Sequence, residues 1–153
     1  MNVSMQQAQS DLVNAFLDAI GESGHDEGPE VQYDSGWEQL YVHAEFAEMA
    51  GAIAHYTDST ALARRGDNIV MLPLPITDQT QDAIDTLRVV YVEAGHGFWR
   101  FDLTVDADWR YRFVFDDTPS LVLAGQADPD VPGRTKRFAA EFAAAKGLDL
   151  GGA

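Results

Sequence analysis

The chain has 153 residues, 46% hydrophobic and 10% aromatic, which suits one domain with a real core and excludes a wholly disordered polymer. It has no cysteine, so disulfide frameworks, thiolate metal sites and a cysteine nucleophile are excluded. Its 25 acids against 10 bases give a net charge of −15, a field that repels nucleic acid and anionic lipid and attracts basic surfaces.

The charge is unevenly placed. Residues 1–63 carry eleven acids and no lysine or arginine, and the first base is Arg64. Acidity of this kind also serves solubility alone, so charge by itself names no partner.

The spacing of Ala8, Leu12, Ala15, Phe16, Ala19 and Ile20 predicts an amphipathic helix over 3–20, stopped by Gly21 and Gly24. Residues 1–20 lack a basic start and a long apolar stretch, so they read as that helix and not as a signal peptide. No run approaches the roughly 18 apolar residues of a membrane span. Residues 22–36 form a polar, acidic loop. Residues 37–46 alternate as a strand, and 52–57 return as its partner. A turn around 47–51 would place Tyr41, His43, Glu45, Ile53 and His55 on one face, with Leu40, Val42, Ala44, Ala54 and Tyr56 on the core side.

Residues 58–67 read as a loop and 69–72 as a short strand stopped by Pro73 and Pro75. Thr77 caps a second helix over 78–93. Alternation over 99–105 and 109–115 predicts a hairpin with an aromatic face of Trp99, Phe101, Trp109, Tyr111, Phe113 and Phe115. Its charged face sets Asp102 across from Arg110 or Arg112. Phe138 and Phe142, four apart, dock a last helix over 134–146. The expected fold is α+β, in the order α-β-β-β-α-β-β-α. It has an antiparallel sheet of about five strands, helices on one face and the other face open. One domain covers 1–146, and 147–153 form a frayed tail.

No phosphate loop, dinucleotide fingerprint or nucleophile elbow occurs. His43 and His55, with Glu45 between them in sequence, are the candidate metal ligands, and a metal-assisted enzyme is the rival that they carry. Asp106, Asp108, Asp116 and Asp117 sit at strand ends, where aspartate is favoured by turns as much as by acid–base chemistry. Neither set makes a signature, so no catalytic residue, metal or cofactor is expected.

Gly36-Trp37-Glu38-Gln39-Leu40-Tyr41-Val42-His43-Ala44-Glu45 resembles the first strand of the YezG-type immunity proteins. Residues 97–105 (GFWRFDLTV) and 111–117 (YRFVFDD) resemble that family's closing hairpin. The turn Asp106-Ala107-Asp108 departs from the family's Gly-Lys type, and the 22–36 loop is more acidic. The resemblance implies a bacterial, cytoplasmic antitoxin that binds and occludes a cognate secreted toxin, frequently a nuclease, without catalysis. The expected partner is a basic toxin domain, with no nucleic acid and no membrane, and the chain itself is a monomer or weak dimer. The contact residues expected are Glu22, Asp26, Glu27, Glu30, Asp34, Glu38, Glu45 and Glu48, with Tyr33 and Tyr41 as aromatic anchors. The alternative is a non-catalytic small-ligand, adaptor or sensory module.

Overall fold

The computed structural model describes residues 2–22, 36–126, 128–129 and 133–151. Its elements are α1 (Val3–Glu22), β1 (Trp37–Met49), β2 (Ala52–Arg65), β3 (Asn68–Leu72), α2 (Asp78–Glu93), β4 (Arg100–Asp106), β5 (Tyr111–Asp116), α3 (Arg134–Ala145) and β6 (Asp149–Leu150). The fold is α+β, in the order expected from the sequence. The six strands run β5-β4-β1-β2-β3-β6 across one sheet. All neighbours are antiparallel except β3 and β6, which are parallel, so the sheet is mixed and has one strand more than expected. That strand lies in the expected tail, where Asp149 and Gly151 donate backbone N–H groups to Asp67 and Ile69 carbonyls.

The helices α1 and α2 pack side by side on one face. Leu12, Phe16 and Ile20 of α1 and Ile84, Leu87 and Tyr91 of α2 meet Leu40, Val42, Ala44, Phe46, Leu103 and Val105 of the sheet. Thr77 caps α2 as its position predicts: its hydroxyl accepts from the Thr80 amide while Thr80 answers its own backbone N–H. No helix among the described residues is long and apolar enough to cross a membrane.

The other face is not open. Helix α3 crosses it, burying Ala139 and Ala143 against Leu62 and Ile69, with Phe138 and Phe142 packed alongside. Phe138 stacks flat on Tyr41, centroids 4.3 Å apart. This second cover explains why β2 runs on through 58–65, where a loop was expected. In Ala61-Leu62-Ala63 the alanines face the larger core and Leu62 faces α3, so the strand is apolar on both sides and shows no alternation.

The turn joining β1 to β2 is tighter than expected. Met49 pairs with Ala52, leaving Ala50 and Gly51 as the two turn residues, with φ of 50° and 81°. Positive φ at both positions is what a two-residue hairpin loop demands, and alanine bears it poorly. Ala50→Asn should therefore stabilise the fold by about 0.5–1 kcal/mol in a denaturant titration.

The tight turn also changes the parity of the hairpin. Phe46 pairs with His55 and His43 pairs with Asp58, so His43 and His55 lie on opposite faces. A shift of one residue in register is enough to do this. Ile53 and His55 belong to the helix side, and Tyr56, opposite Glu45, to the α3 side.

Candidate functional site

A band of polar side chains crosses the α3 side of the sheet, centred on Glu45. This residue is fully buried. Strand alternation alone points it away from the larger core, and residues 118–126 and Asp128 then close over it. The Ser120 hydroxyl donates to Glu45 Oε1 at 2.7 Å, and His43 Nε2 lies 2.6 Å from Oε2. Two guanidiniums approach the same oxygen: Arg134 Nη2 at 3.3 Å and Arg100 Nη1 at 3.5 Å. Both are also 3.7 Å from Asp128 Oδ2.

His43 is held at its other end too, with Nδ1 2.7 Å from Asp102 Oδ1. Both ring nitrogens of His43 thus lie within hydrogen-bonding distance of a carboxylate oxygen. The Tyr41 hydroxyl donates to the same Asp102 oxygen at 2.8 Å. Arg100 additionally donates to the Thr118 and Pro119 carbonyls.

The ionisation of these groups follows from that geometry. Burial pushes the Glu45 carboxyl up, but the hydrogen bonds from His43 and Ser120, with the charges of His43 and Arg100, hold it below its ordinary value. Asp102 is likewise held low: burial opposes this and the His43 hydrogen bond prevails. Burial, then the Asp102 charge, raises the Tyr41 phenol far above its usual range. Burial raises Asp58 as well, against the charges of Arg134 and His43.

Chemically, the band is a set of largely mutual partners, although Asp102 reaches the surface and the buried Arg134 Nη1 makes no hydrogen bond. Its acids, imidazole and phenol are committed to one another, and with the two guanidiniums they fasten Thr118, Pro119, Ser120, Asp128 and the start of α3 to the sheet. A shallow polar cleft of about 300 Å³ remains beside Tyr41, His43, Arg100, Asp102, Arg134 and Arg137.

The predicted contact residues separate. Glu45 and Tyr41 are buried, so neither serves as a surface contact; Tyr41 is covered by Phe138. Glu38 is partly buried, and Glu48 is exposed near the hairpin tip. Glu22 ends α1. Asp26, Glu27, Glu30, Tyr33 and Asp34 lie outside the described residues. The candidate ligands do not meet: His43 belongs to the band, and His55 Nδ1 lies 2.8 Å from Asp85 Oδ1 on α2. Among the described residues, no cluster of three or more potential ligands is placed to hold a metal ion.

The charged face of the last hairpin also differs from expectation. Asp102 pairs with Val114, not with an arginine, and Arg110 turns to Asp108 at 2.7 Å. Trp109 sits in the turn, φ 69°, and is 69% exposed instead of joining the core.

A second feature was missed in the sequence. The outer surface of the α1–α2 layer carries Asp11, Asp18, Asp78, Asp82, Asp85 and Glu93, all exposed. The sole base on these helices, Arg88, is drawn inward. Its guanidinium lies over the Trp99 ring at 4.3 Å and donates to the Phe98 carbonyl, and burial lowers its pKa. Only Asp78 lies in the first turn of α2, where it complements the helix dipole; the joint effect of the acids emerges when the two helices pack. Antiparallel packing of α1 against α2, with Gln79 donating to Asp18, assembles them into one surface.

No protein-family model matches the chain, and no curated protein matches it.

Proposed function

We propose that this chain is a non-catalytic immunity protein that captures a basic, nuclease-type toxin domain in the cytoplasm of a bacterial cell and occludes it. The observation that carries this reading is the α1–α2 surface: six exposed acids, with the layer's one base turned inward. Such a surface steers a cationic partner and fixes its orientation by charge. Glu48 and the five acids in the sequence of residues 22–35 carry the same sign of charge. The mutual hydrogen bonds of Glu45, His43, Tyr41, Asp102 and Ser120 suit a scaffold better than a reaction centre. The resemblance of 36–45, 97–105 and 111–117 to the YezG-type immunity proteins supplies the kind of partner.

The test is binding to the toxin domain encoded beside this chain, measured by stopped flow at low and high salt. The variant Asp18→Lys/Asp82→Lys/Glu93→Lys should slow association at low salt about tenfold or more, and much less at high salt. An unchanged rate, or no complex at low salt, overturns the reading.

One observation favours a different module. A groove of about 710 Å³, walled largely by Met5, Tyr91, Phe98, Tyr111, Phe113 and Phe115, has the size and character of a small-ligand site. A molecule retained by the purified protein in native mass spectrometry would support that alternative.

A further inference from the structure

We propose that β5 is a self-pairing edge, through which two copies of this chain join their sheets in a twofold dimer. The two ends of the sheet are unlike. One closes on β6, two residues long, the kind of short edge that discourages pairing. The other closes on β5, six residues long, and no strand among the described residues lies beyond it. Tyr111 and Val114 on this strand are 39% and 48% exposed, and the aromatic groove runs alongside.

The backbone of β5 fixes which groups face out. The Asp106 amide donates to the Arg110 carbonyl at 2.8 Å, closing the hairpin. Antiparallel ladders alternate, so Arg112 and Val114 also turn their N–H and C=O groups toward β4. Tyr111, Phe113 and Phe115 therefore turn theirs outward. An antiparallel pairing of two β5 strands centred on Phe113 sets every outward N–H of these residues against an outward C=O.

The side chains agree with that register. Phe113 meets the partner's Phe113, and Tyr111 meets the partner's Phe115. On the opposite face Arg112 lies beside the partner's Val114, and Arg110 faces the partner's Asp116. Arg110 and Asp116 are both exposed. The present partner of Arg110, Asp108, is an exposed neighbour that holds it weakly. Centring the pair on Tyr111 instead would oppose Arg110 to the partner's Arg112, which selects the first register. The two arginines also argue against a basic segment on this edge, so the occupant is a second copy. A twofold axis normal to the sheet leaves both α1–α2 layers on the same side.

The net charge of −15 on each copy opposes the union. Dimerisation should therefore tighten as salt screens that repulsion, whereas capture of a basic partner weakens with salt. The two interactions are thus separable, and this pairing does not rest on the docking reading.

Sedimentation equilibrium of the intact chain, from low to high micromolar concentration, tests the proposal. The expected mass rises to twice the 16.8 kDa of one chain, at lower concentration in higher salt. Arg110→Asp, which opposes two acids, should weaken the dimer about tenfold, and Arg110→Asp/Asp116→Arg should restore it. Circular dichroism confirms that each variant is folded. One-chain mass at every concentration, a dimer indifferent to Arg110→Asp, or a double variant that fails to restore it would each overturn the proposal.

Discussion

Glu45→Ala is expected to destabilise the fold by about 3–5 kcal/mol, the range for removing one partner from a buried charged network. The side chain is fully buried, so solvent cannot replace it. Its loss leaves the Ser120 hydroxyl without its acceptor and His43 Nε2 without its carboxylate partner. It also removes the nearer of the two carboxylates that balance Arg100 and Arg134. Glu45→Gln keeps the shape and an acceptor for Ser120, and should cost less. Urea titration of both variants checks this; a loss for Glu45→Ala under about 1 kcal/mol would show that the band contributes little.

The same residue sets an acid limit. Because the native carboxyl is held below its ordinary value of 4.5, its contribution is complete above pH 4.5 and is lost as pH falls through the lower native value. Asp58 acts with the opposite sign: raised above 3.8 by burial, its ionisation costs stability as pH rises past that point. Stability measured against pH should thus fall on acidification in the wild type, and Glu45→Gln should flatten that limb.

Phe98→Ala is expected to cost about 3–5 kcal/mol through lost burial and a residual cavity. Phe98 is 2% exposed and forms the hub of an aromatic cluster. Its ring meets Phe46, Tyr91 and Phe101 edge-on at 5.7, 5.4 and 5.9 Å, and Phe115 at 4.7 Å. It also lines the groove, which limits how far the surroundings can collapse to fill the space. Thermal and urea unfolding report the loss directly. A change near 1 kcal/mol would mean that Tyr91 and Phe115 close over the vacancy.

The elements that the sequence made plain are those with one wet face. The helices α1 and α2 and the strands β4 and β5 each show the period that a single buried side imposes, whereas β1, buried on both faces, alternates because Tyr41, His43 and Glu45 make its second buried face polar. Thr77 is legible because capping is a local matter. What stayed hidden depends on α3. Its amphipathic stripe announces a docking helix, but nothing in it states which face of the sheet it covers. Once it lies over Tyr41 and Leu62, a strand apolar on both sides looks like a loop, and two surface candidates become interior groups. The Glu45 band was half visible: an acid and an imidazole inside a strand of core residues require partners. Ser120, Asp128 and Arg134 are far away in sequence and follow no local pattern. The parity of the β1–β2 hairpin depended on one turn, where alanine stands in place of the usual asparagine and so gives no signal.

The strand order carries a kinetic consequence. The central strand β1 has one neighbour that arrives immediately and one that arrives late. Met49 and Ala52 are joined by the turn itself, so the β1–β2 ladder can zip outward from its tip at small entropic cost. On its other side, Gln39 must find Asp106, 67 residues away, across a helix and a further strand. That search precedes any reward from the pairing. Until it succeeds, β1 stands as an open edge on a half-built sheet, and it is in this interval, not in the finished fold, that the chain is most exposed to association with other unfinished chains. The eleven acids and absent bases of residues 1–63 then act during assembly, since they cover the segment that waits longest with like charge.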